Sequence, residues 1–159
     1  MEDLRSPAEE AFAHECRIRD LYAVRLDEFR PQERLLKTES GFIASRVRAD
    51  MRTIDSLNHL RVWEFKIEAS YAGLGQILSY LAQAKLETNF ERSVHGVLAA
   101  FSFQEEIRTA VSVLHLGIEL VELPFKLRLA GGVPVLASYM PVPDIPSLTH
   151  LQPAQGESR

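Results

Sequence analysis

The sequence predicts an α/β domain in which helices flank a mixed β-sheet. Helical and extended patterns alternate along the chain, in the order helix, strand, strand, helix, strand, helix, strand. The run from Val94 to Phe101 is almost continuously apolar, which is typical of a strand buried on both faces. The 159 residues are 46% hydrophobic and 25% charged, as expected of one globular domain with a sizeable core.

The N-terminal part predicts one helix followed by a largely irregular segment. Ser6 with Glu9 three residues later forms a capping box, and the helical period continues to about Val24. Residues 25–40 contain several turn-forming residues and predict a loop, with a short strand around Leu35-Leu36.

A hairpin follows, because the apolar period changes to two between Phe42 and Ile54. Alternation predicts that Val47, Ala49 and Met51 share one face. The opposite face then carries Asp50 and three arginines, namely Arg46, Arg48 and Arg52.

A turn over residues 55–59, capped by Asp55, leads into a second strand over Leu60–Ile67. A helix begins near Ser70 and extends to about Leu86. It contains Gly73 and Gly75, which reduce helix stability unless a close approach requires them.

The C-terminal part predicts one more helix–strand unit after the buried strand. Ser102 and Glu105 form a capping box for a helix that ends near Gly117, and Ile118–Leu123 is a strand. Phe125–Leu129 and Val133–Tyr139 predict a hairpin around two glycines. We therefore expect one domain over residues 1–140 and a proline-rich tail over residues 141–159. The apolar residues of that tail suggest a contact with a partner or a second copy.

Charge and composition exclude several classes of protein. The formal net charge is −4, which argues against a protein that coats DNA through bulk positive charge. Cys16 is the single cysteine, so no internal disulfide or cysteine-rich zinc site is expected. No apolar run is long enough for a membrane span, and the acidic N-terminus lacks a signal region. We expect a cytoplasmic protein with no membrane association.

The segment from Ser40 to Lys66 carries the most informative residues and a local net charge of +2. On the second strand of the hairpin, Glu64 and Lys66 share a face, opposite Trp63 and Phe65. Antiparallel pairing can bring Asp50 beside Glu64. Two converging carboxylates repel each other unless they bind a hard divalent cation, which prefers oxygen ligands.

A metal held there can activate water and stabilise charge on a phosphate, and Lys66 can orient that water or neutralise a phosphate oxygen. The alternative is a plain cross-strand salt bridge between Lys66 and one of the carboxylates.

Asp50 is followed, after thirteen further residues, by Glu64-Phe65-Lys66 at the end of an apolar strand. This arrangement resembles the PD-(D/E)xK nuclease superfamily. Gln76 and Tyr80, four residues apart on the following helix, add to the resemblance. The order of elements over roughly residues 6–123 also matches. The sequence departs from the motif in one place, where Ala49 replaces the usual proline.

The resemblance implies a restriction-endonuclease-like core with Mg²⁺ as cofactor and Mn²⁺ as a substitute. Asp50, Glu64 and the backbone carbonyl of Phe65 would bind the metal, and Lys66 would be the catalytic lysine. Gln76 and Tyr80 would contact nucleic acid near the metal.

Members of the superfamily often add a carboxylate from the first helix. Glu15 interrupts the apolar stripe of the predicted helix at its centre, which favours it for this role. Glu10 is the alternative, and a purely structural Glu15 stays open. For Arg46, Arg48 and Arg52, two interpretations also stay open: contacts with DNA phosphates, or one solvated strand face.

The leading hypothesis is a metal-dependent DNA nuclease that hydrolyses phosphodiester bonds in restriction, repair, recombination or mobile-element processing. The alternative is a catalytically silent nuclease-fold module for nucleic-acid binding or protein interaction. The sequence leaves open DNA or RNA, endo- or exonuclease action, the specificity and the pathway. It also leaves open a homodimer or a partner subunit.

Overall fold

The computed structural model describes residues 5–43 and 45–132, which form five helices and five strands. The helices are α1 (Pro7–Val24), α2 (Leu26–Phe29), α3 (Tyr71–Glu87), α4 (Glu105–Leu114) and α5 (Phe125–Ala130). The strands are β1 (Glu33–Phe42), β2 (Ser45–Asp55), β3 (Leu60–Ala69), β4 (Val94–Phe103) and β5 (Ile118–Glu122).

The strands form one mixed sheet in the order β1-β2-β3-β4-β5. The first three strands are antiparallel, whereas β3, β4 and β5 are parallel to one another. Parallel neighbours need crossover connections, which α3 and α4 supply. The prediction of an α/β domain with a mixed sheet flanked by helices is therefore confirmed.

Two apolar cores cover the two faces of the sheet. One core packs α3 and α4 against the sheet, through residues such as Ile77, Leu98 and Ile107. The other packs α1 and α5 against the opposite face around Tyr22 and Trp63. Within the described ranges, no helix is both long enough and apolar enough to span a bilayer.

Local signals locate most of the elements correctly. The Ser6 hydroxyl accepts from the Glu9 N–H and the Glu9 carboxylate accepts from the Ser6 N–H, so the predicted capping box is present and α1 ends at Val24. Asp55 caps the β2–β3 turn by accepting from the backbone N–H groups of Leu57 and His59.

The main error concerns β1, which is a ten-residue strand where the sequence predicts a loop with a short strand. β1 lies at the edge of the sheet and most of its side chains are exposed, so it shows no apolar alternation. Phe42 belongs to this strand and not to β2.

Two smaller predictions near the C-terminus are also wrong. Phe125–Ala130 is a short helix rather than a strand, because six residues are too few to separate the two periods. The α4 helix begins after Gln104 rather than at the predicted Ser102 cap. The predicted strand over residues 133–139 and the predicted tail lie outside the described residues.

Candidate functional site

The strands β2 and β3 separate at Asp50 and Glu64. Their antiparallel register ends at the pair Met51–Trp63, beyond which β2 pairs with β1 and β3 pairs with β4. The backbone N–H of Phe65 donates instead to Asp50 Oδ2 at 2.7 Å. A side-chain carboxylate therefore takes the place of the neighbouring strand at this point.

The alternation of β2 also changes at Asp50. Ala49 packs in the core under α3, whereas Met51 packs in the core under α1. Residues two apart in a regular strand share a face, so the predicted common face of Val47, Ala49 and Met51 is wrong. The change follows from the departure of β2 from β3.

The opening between the two strands is a cleft of about 280 Å³. Its walls come from α1, β1, β2, β3 and α3. The lining residues are Phe12, Glu15, Cys16, Arg19, Glu39, Arg48, Ala49, Asp50, Glu64, Lys66, Gln76 and Tyr80.

Glu64 is the most deeply buried acid of the cleft, with only 3% of its surface exposed. Its Oε1 lies 2.9 Å from Lys66 Nζ, whereas its Oε2 is buried without a hydrogen-bond partner in the described chain. Burial, reinforced by the Asp50 carboxylate, raises the pKa of Glu64 to about 7. An ionised Glu64 therefore lacks a counter-charge on one of its oxygens.

Asp50 is a second acid whose charged form is disfavoured by burial. Burial raises its pKa, although the hydrogen bond from the Phe65 N–H and the nearby cations Arg19 and Lys66 act in the opposite direction. A buried and a half-buried carboxylate, both of raised pKa and close to each other, form a place where a cation is favoured.

Lys66 links this pair to the first helix. Its ammonium group lies 2.9 Å from Glu64 Oε1 and 3.4 Å from Glu15 Oε2. Burial alone would lower the pKa of Lys66, but Glu64 and Glu15 outweigh it and the pKa is raised. Lys66 is thus a fixed cation that donates hydrogen bonds, and it forms the salt bridge that the sequence also allowed.

Glu15 lines the cleft, whereas Glu10 is exposed in the first turns of α1 and is not one of the lining residues. Burial raises the pKa of Glu15, partly offset by Lys66. No group of three carboxylate, imidazole or thiol side chains in the described ranges converges as a metal-ligand set. The contact of Glu15 with the site is its salt bridge to Lys66.

Tyr80 and Gln76 reach the cleft from α3. Tyr80 is buried, and its ring stacks against Phe42 with centroids 6.1 Å apart. Burial and the facing Glu64 carboxylate raise the pKa of Tyr80, so its hydroxyl stays protonated as a donor toward Glu64. Gln76 is exposed one helical turn earlier and is free to contact a molecule in the cleft.

The three candidate arginines of β2 separate into two groups. Arg48 is exposed and lines the cleft, and Arg46 is exposed two residues away. Arg52 instead pairs with Glu87 at 3.0 Å and donates to the Gly41 carbonyl at 2.8 Å. Arg52 therefore holds the β1–β2 hairpin against α3, and its contact with nucleic acid stays a prediction.

Solved structures show the fold to which this arrangement belongs. An EndoMS–double-stranded DNA complex has a TM-score of 0.55 at 20% identity over 78% of this chain. A repair endonuclease from Pyrococcus abyssi has a TM-score of 0.56 at 20% identity over 77%. EndoMS in its apo form has a TM-score of 0.53 at 23% identity over 77%. This chain has a restriction-endonuclease-like fold.

The similarity of this chain to known proteins lies in its three-dimensional structure. No protein-family model matches the chain, and no curated protein matches it. The chain spans about half the length of the similar structures, with 50%, 49% and 48% of their chains covered.

Sequence reasoning missed two charged residues of the cleft in this endonuclease-like fold, Arg19 and Glu39, which pair with each other at 3.3 Å. Arg19 is 5% exposed and lies one helical turn after Glu15. Burial would lower its pKa, but the hydrogen bond to Asp20 raises it, so Arg19 remains a cation beside Asp50. The spacing of four residues from Glu15 is the one signal that could have revealed it.

Proposed function

We propose that this protein is a metal-dependent nuclease that hydrolyses phosphodiester bonds in DNA. One observation supports the proposal above the others. Asp50 and Glu64 face each other where β2 and β3 separate, and Glu64 Oε2 is buried without a partner. A structural salt bridge does not require a second, unpaired buried carboxylate oxygen, whereas a cation site does.

The donor set suits a hard divalent cation such as Mg²⁺, with Mn²⁺ as a substitute. Asp50 and Glu64 would hold it. The backbone carbonyl of Phe65 is the third candidate, because the N–H and C=O of one strand residue point to the same side. The Phe65 N–H already donates to Asp50. When bound, such an ion supplies an activated water and offsets charge that builds up on the phosphate.

The protein itself supplies a fixed cation and the hydrogen bonds that orient it. Lys66, held between Glu64 and Glu15, is protonated and can donate to a phosphate oxygen or to the attacking water. The role of Glu15 is to aim the ammonium group. Tyr80 keeps its proton close to Glu64, and Gln76 offers an amide to the nucleic acid.

DNA is the proposed substrate. Arg46 and Arg48 provide exposed cations along β2 that can contact phosphates. Two of the similar structures are described as a complex with double-stranded DNA and as a repair endonuclease, which favours DNA over RNA. A second copy or a partner subunit would supply further specificity for the DNA. The proposed location of this activity is the cytoplasm.

Cleavage of labelled DNA tests the proposal. Linear, circular, single-stranded and branched DNA, with RNA as a comparison, are incubated with Mg²⁺, with Mn²⁺ or with a chelator. We expect cleavage of DNA with either metal and none with the chelator. If no metal supports cleavage of any of these nucleic acids, the protein is a silent nuclease-fold module.

Two glycines of α3 give a matched pair of variants. A Cβ at Gly73 would lie 3.3 Å from Lys66 Cγ and 3.5 Å from Leu98 Cδ1, whereas one at Gly75 would meet nothing within 4 Å. We expect Gly73→Ala to displace Lys66 and to lower the cleavage rate roughly tenfold. Gly75→Ala should leave the rate unchanged and stabilise the helix by up to about 1 kcal/mol.

Cleavage rates and thermal midpoints of both variants check this expectation. Equal rates for Gly73→Ala and wild type would contradict a requirement for the observed position of Lys66.

A further inference from the structure

The tip of the β1–β2 hairpin carries an isoleucine that is almost fully exposed. Ile43 has 95% of its surface accessible, more than any other large apolar side chain in the described ranges. Exposure of a single apolar residue is ordinary, but this residue is held in place by a set of specific contacts.

Those contacts fix the hairpin tip to the end of α3. The Ile43 backbone N–H donates to Glu87 Oε1 at 2.8 Å, and Glu87 Oε2 pairs with Arg52 at 3.0 Å. Arg52 also donates to the Gly41 carbonyl and lies over the Phe42 ring, 4.3 Å from its centroid. Ile43 is therefore presented to solvent at a defined position.

The same hairpin also carries basic side chains that no acidic side chain neutralises. In the described part of the chain, four of its basic side chains form no ion pair or side-chain hydrogen bond. They are Arg34, Lys37, Arg46 and Arg48. Three of the four acids of the hairpin, Glu33, Glu39 and Asp55, pair with cations of the protein itself, and the fourth, Asp50, lines the cleft. The hairpin is thus electrostatically complementary to a polyanion.

The cations mark a path between the tip and the cleft. Arg46, Arg48 and Asp50 follow each other at intervals of two residues on β2, which is about 7 Å at 3.3 Å per residue. Ile43 lies seven residues before Asp50, or at most about 23 Å along the chain. That length corresponds to no more than about seven base pairs at 3.4 Å each.

We propose that Ile43 is a wedge that inserts between base pairs of duplex DNA whose phosphates contact Arg46 and Arg48. Aliphatic side chains flanked by arginine are used in this way by proteins that unstack DNA. The proposal rests on the nuclease function proposed above and narrows its substrate class. Because unstacking is easiest where stacking is already interrupted, the preferred DNA contains a mismatch, an end or a branch within about seven base pairs of the cleavage position.

Fluorescence of 2-aminopurine placed beside a mismatch tests the wedge. The full chain is titrated into this duplex and into the matched duplex, with chelator present so that no DNA is cleaved. Ile43→Ala is compared with Leu57→Ala, a control at the opposite end of β2 whose side chain is 74% exposed.

We expect wild type and Leu57→Ala to increase the fluorescence through unstacking. Ile43→Ala should not increase it and should bind the mismatched duplex about tenfold more weakly, with unchanged affinity for the matched duplex. Arg46→Ala and Arg48→Ala should each reduce the slope of log affinity against log salt by about 0.9.

Equal unstacking by wild type and Ile43→Ala would overturn the wedge, as would the absence of unstacking by wild type. A change of oligomeric state in Ile43→Ala would overturn it in favour of a protein contact. The two proposals fail separately, because unstacking is measured without cleavage. If the protein unstacks DNA through Ile43 but never cleaves it, only the nuclease proposal is overturned.

Discussion

Lys66→Ala is expected to lower DNA cleavage by about a hundred- to a thousandfold, the usual cost of removing one preorganised charged donor. A protonated ammonium group cannot be a metal ligand, so its contribution concerns the water or the phosphate. Metal binding should persist in this variant, because the proposed ligands Asp50, Glu64 and the Phe65 carbonyl remain. Single-turnover cleavage and calorimetric binding of Mn²⁺ measure the two properties separately.

Lys126→Ala is the matched control for loss of a salt bridge. Lys126 Nζ lies 2.6 Å from Glu28 Oε1 at the surface, away from the cleft. Exposed pairs of this kind contribute little to stability, and we expect no effect on cleavage. If Lys66→Ala cleaves DNA as fast as wild type, Lys66 is only a structural ion-pair partner.

The part of the cleft that could be predicted from sequence is the part set by local geometry. A short turn fixes the register of β2 on β3 up to the pair Met51–Trp63, so counting residues already places Asp50 and Glu64 next to each other, one residue beyond it. The helical period likewise directs Glu15 toward the sheet. Each of these residues lies on an element whose pattern is visible in the sequence.

The rest depends on contacts between distant segments. β1 is a strand because it pairs with β2, and its exposed side chains carry no signal of that pairing. The separation of β2 from β3 then changes the alternation at Asp50, which no period-two pattern can anticipate. Arg52 consequently braces the hairpin against Glu87, and Arg48 reaches the cleft.

The sequence also does not show which charged side chains are buried. Arg19 is polar and lies on a helix of mixed composition, so only the packed structure shows that it is 5% exposed. The same holds for the aromatic contact between Tyr80 and Phe42, which joins two elements far apart in the chain.

Glu64→Gln is expected to stabilise the metal-free protein at pH 8 and to abolish its stabilisation by Mn²⁺. The folded protein raises the pKa of Glu64 from 4.5 to about 7. Below about pH 4.5 the carboxyl is protonated in both the folded and the unfolded chain, and it adds no pH-dependent cost. As the pH rises toward 7, the unfolded chain loses this proton first, and stability falls.

Above pH 7 the folded protein carries the full cost of an ionised, buried Glu64. Gln has the same shape and no charge, so the variant should gain roughly 1–3 kcal/mol over wild type at pH 8 and nothing at pH 4. In wild type, Mn²⁺ bound at the proposed site is expected to offset the same cost and to raise the thermal midpoint. The variant lacks the proposed carboxylate ligand, so its midpoint should not respond to the metal.

Thermal unfolding at pH 4 and pH 8, with chelator and with Mn²⁺, checks both parts of this expectation. Glu68→Gln is the matched control, because Glu68 is exposed on the same strand, does not line the cleft, and its replacement should not change the response to metal. A Glu64→Gln protein that is less stable than wild type at pH 8 without metal would show that Glu64 acts as the salt-bridge partner of Lys66. The ionised Glu64 carboxylate would then not destabilise the fold. The physical reason for a cation between Asp50 and Glu64 would be absent as well.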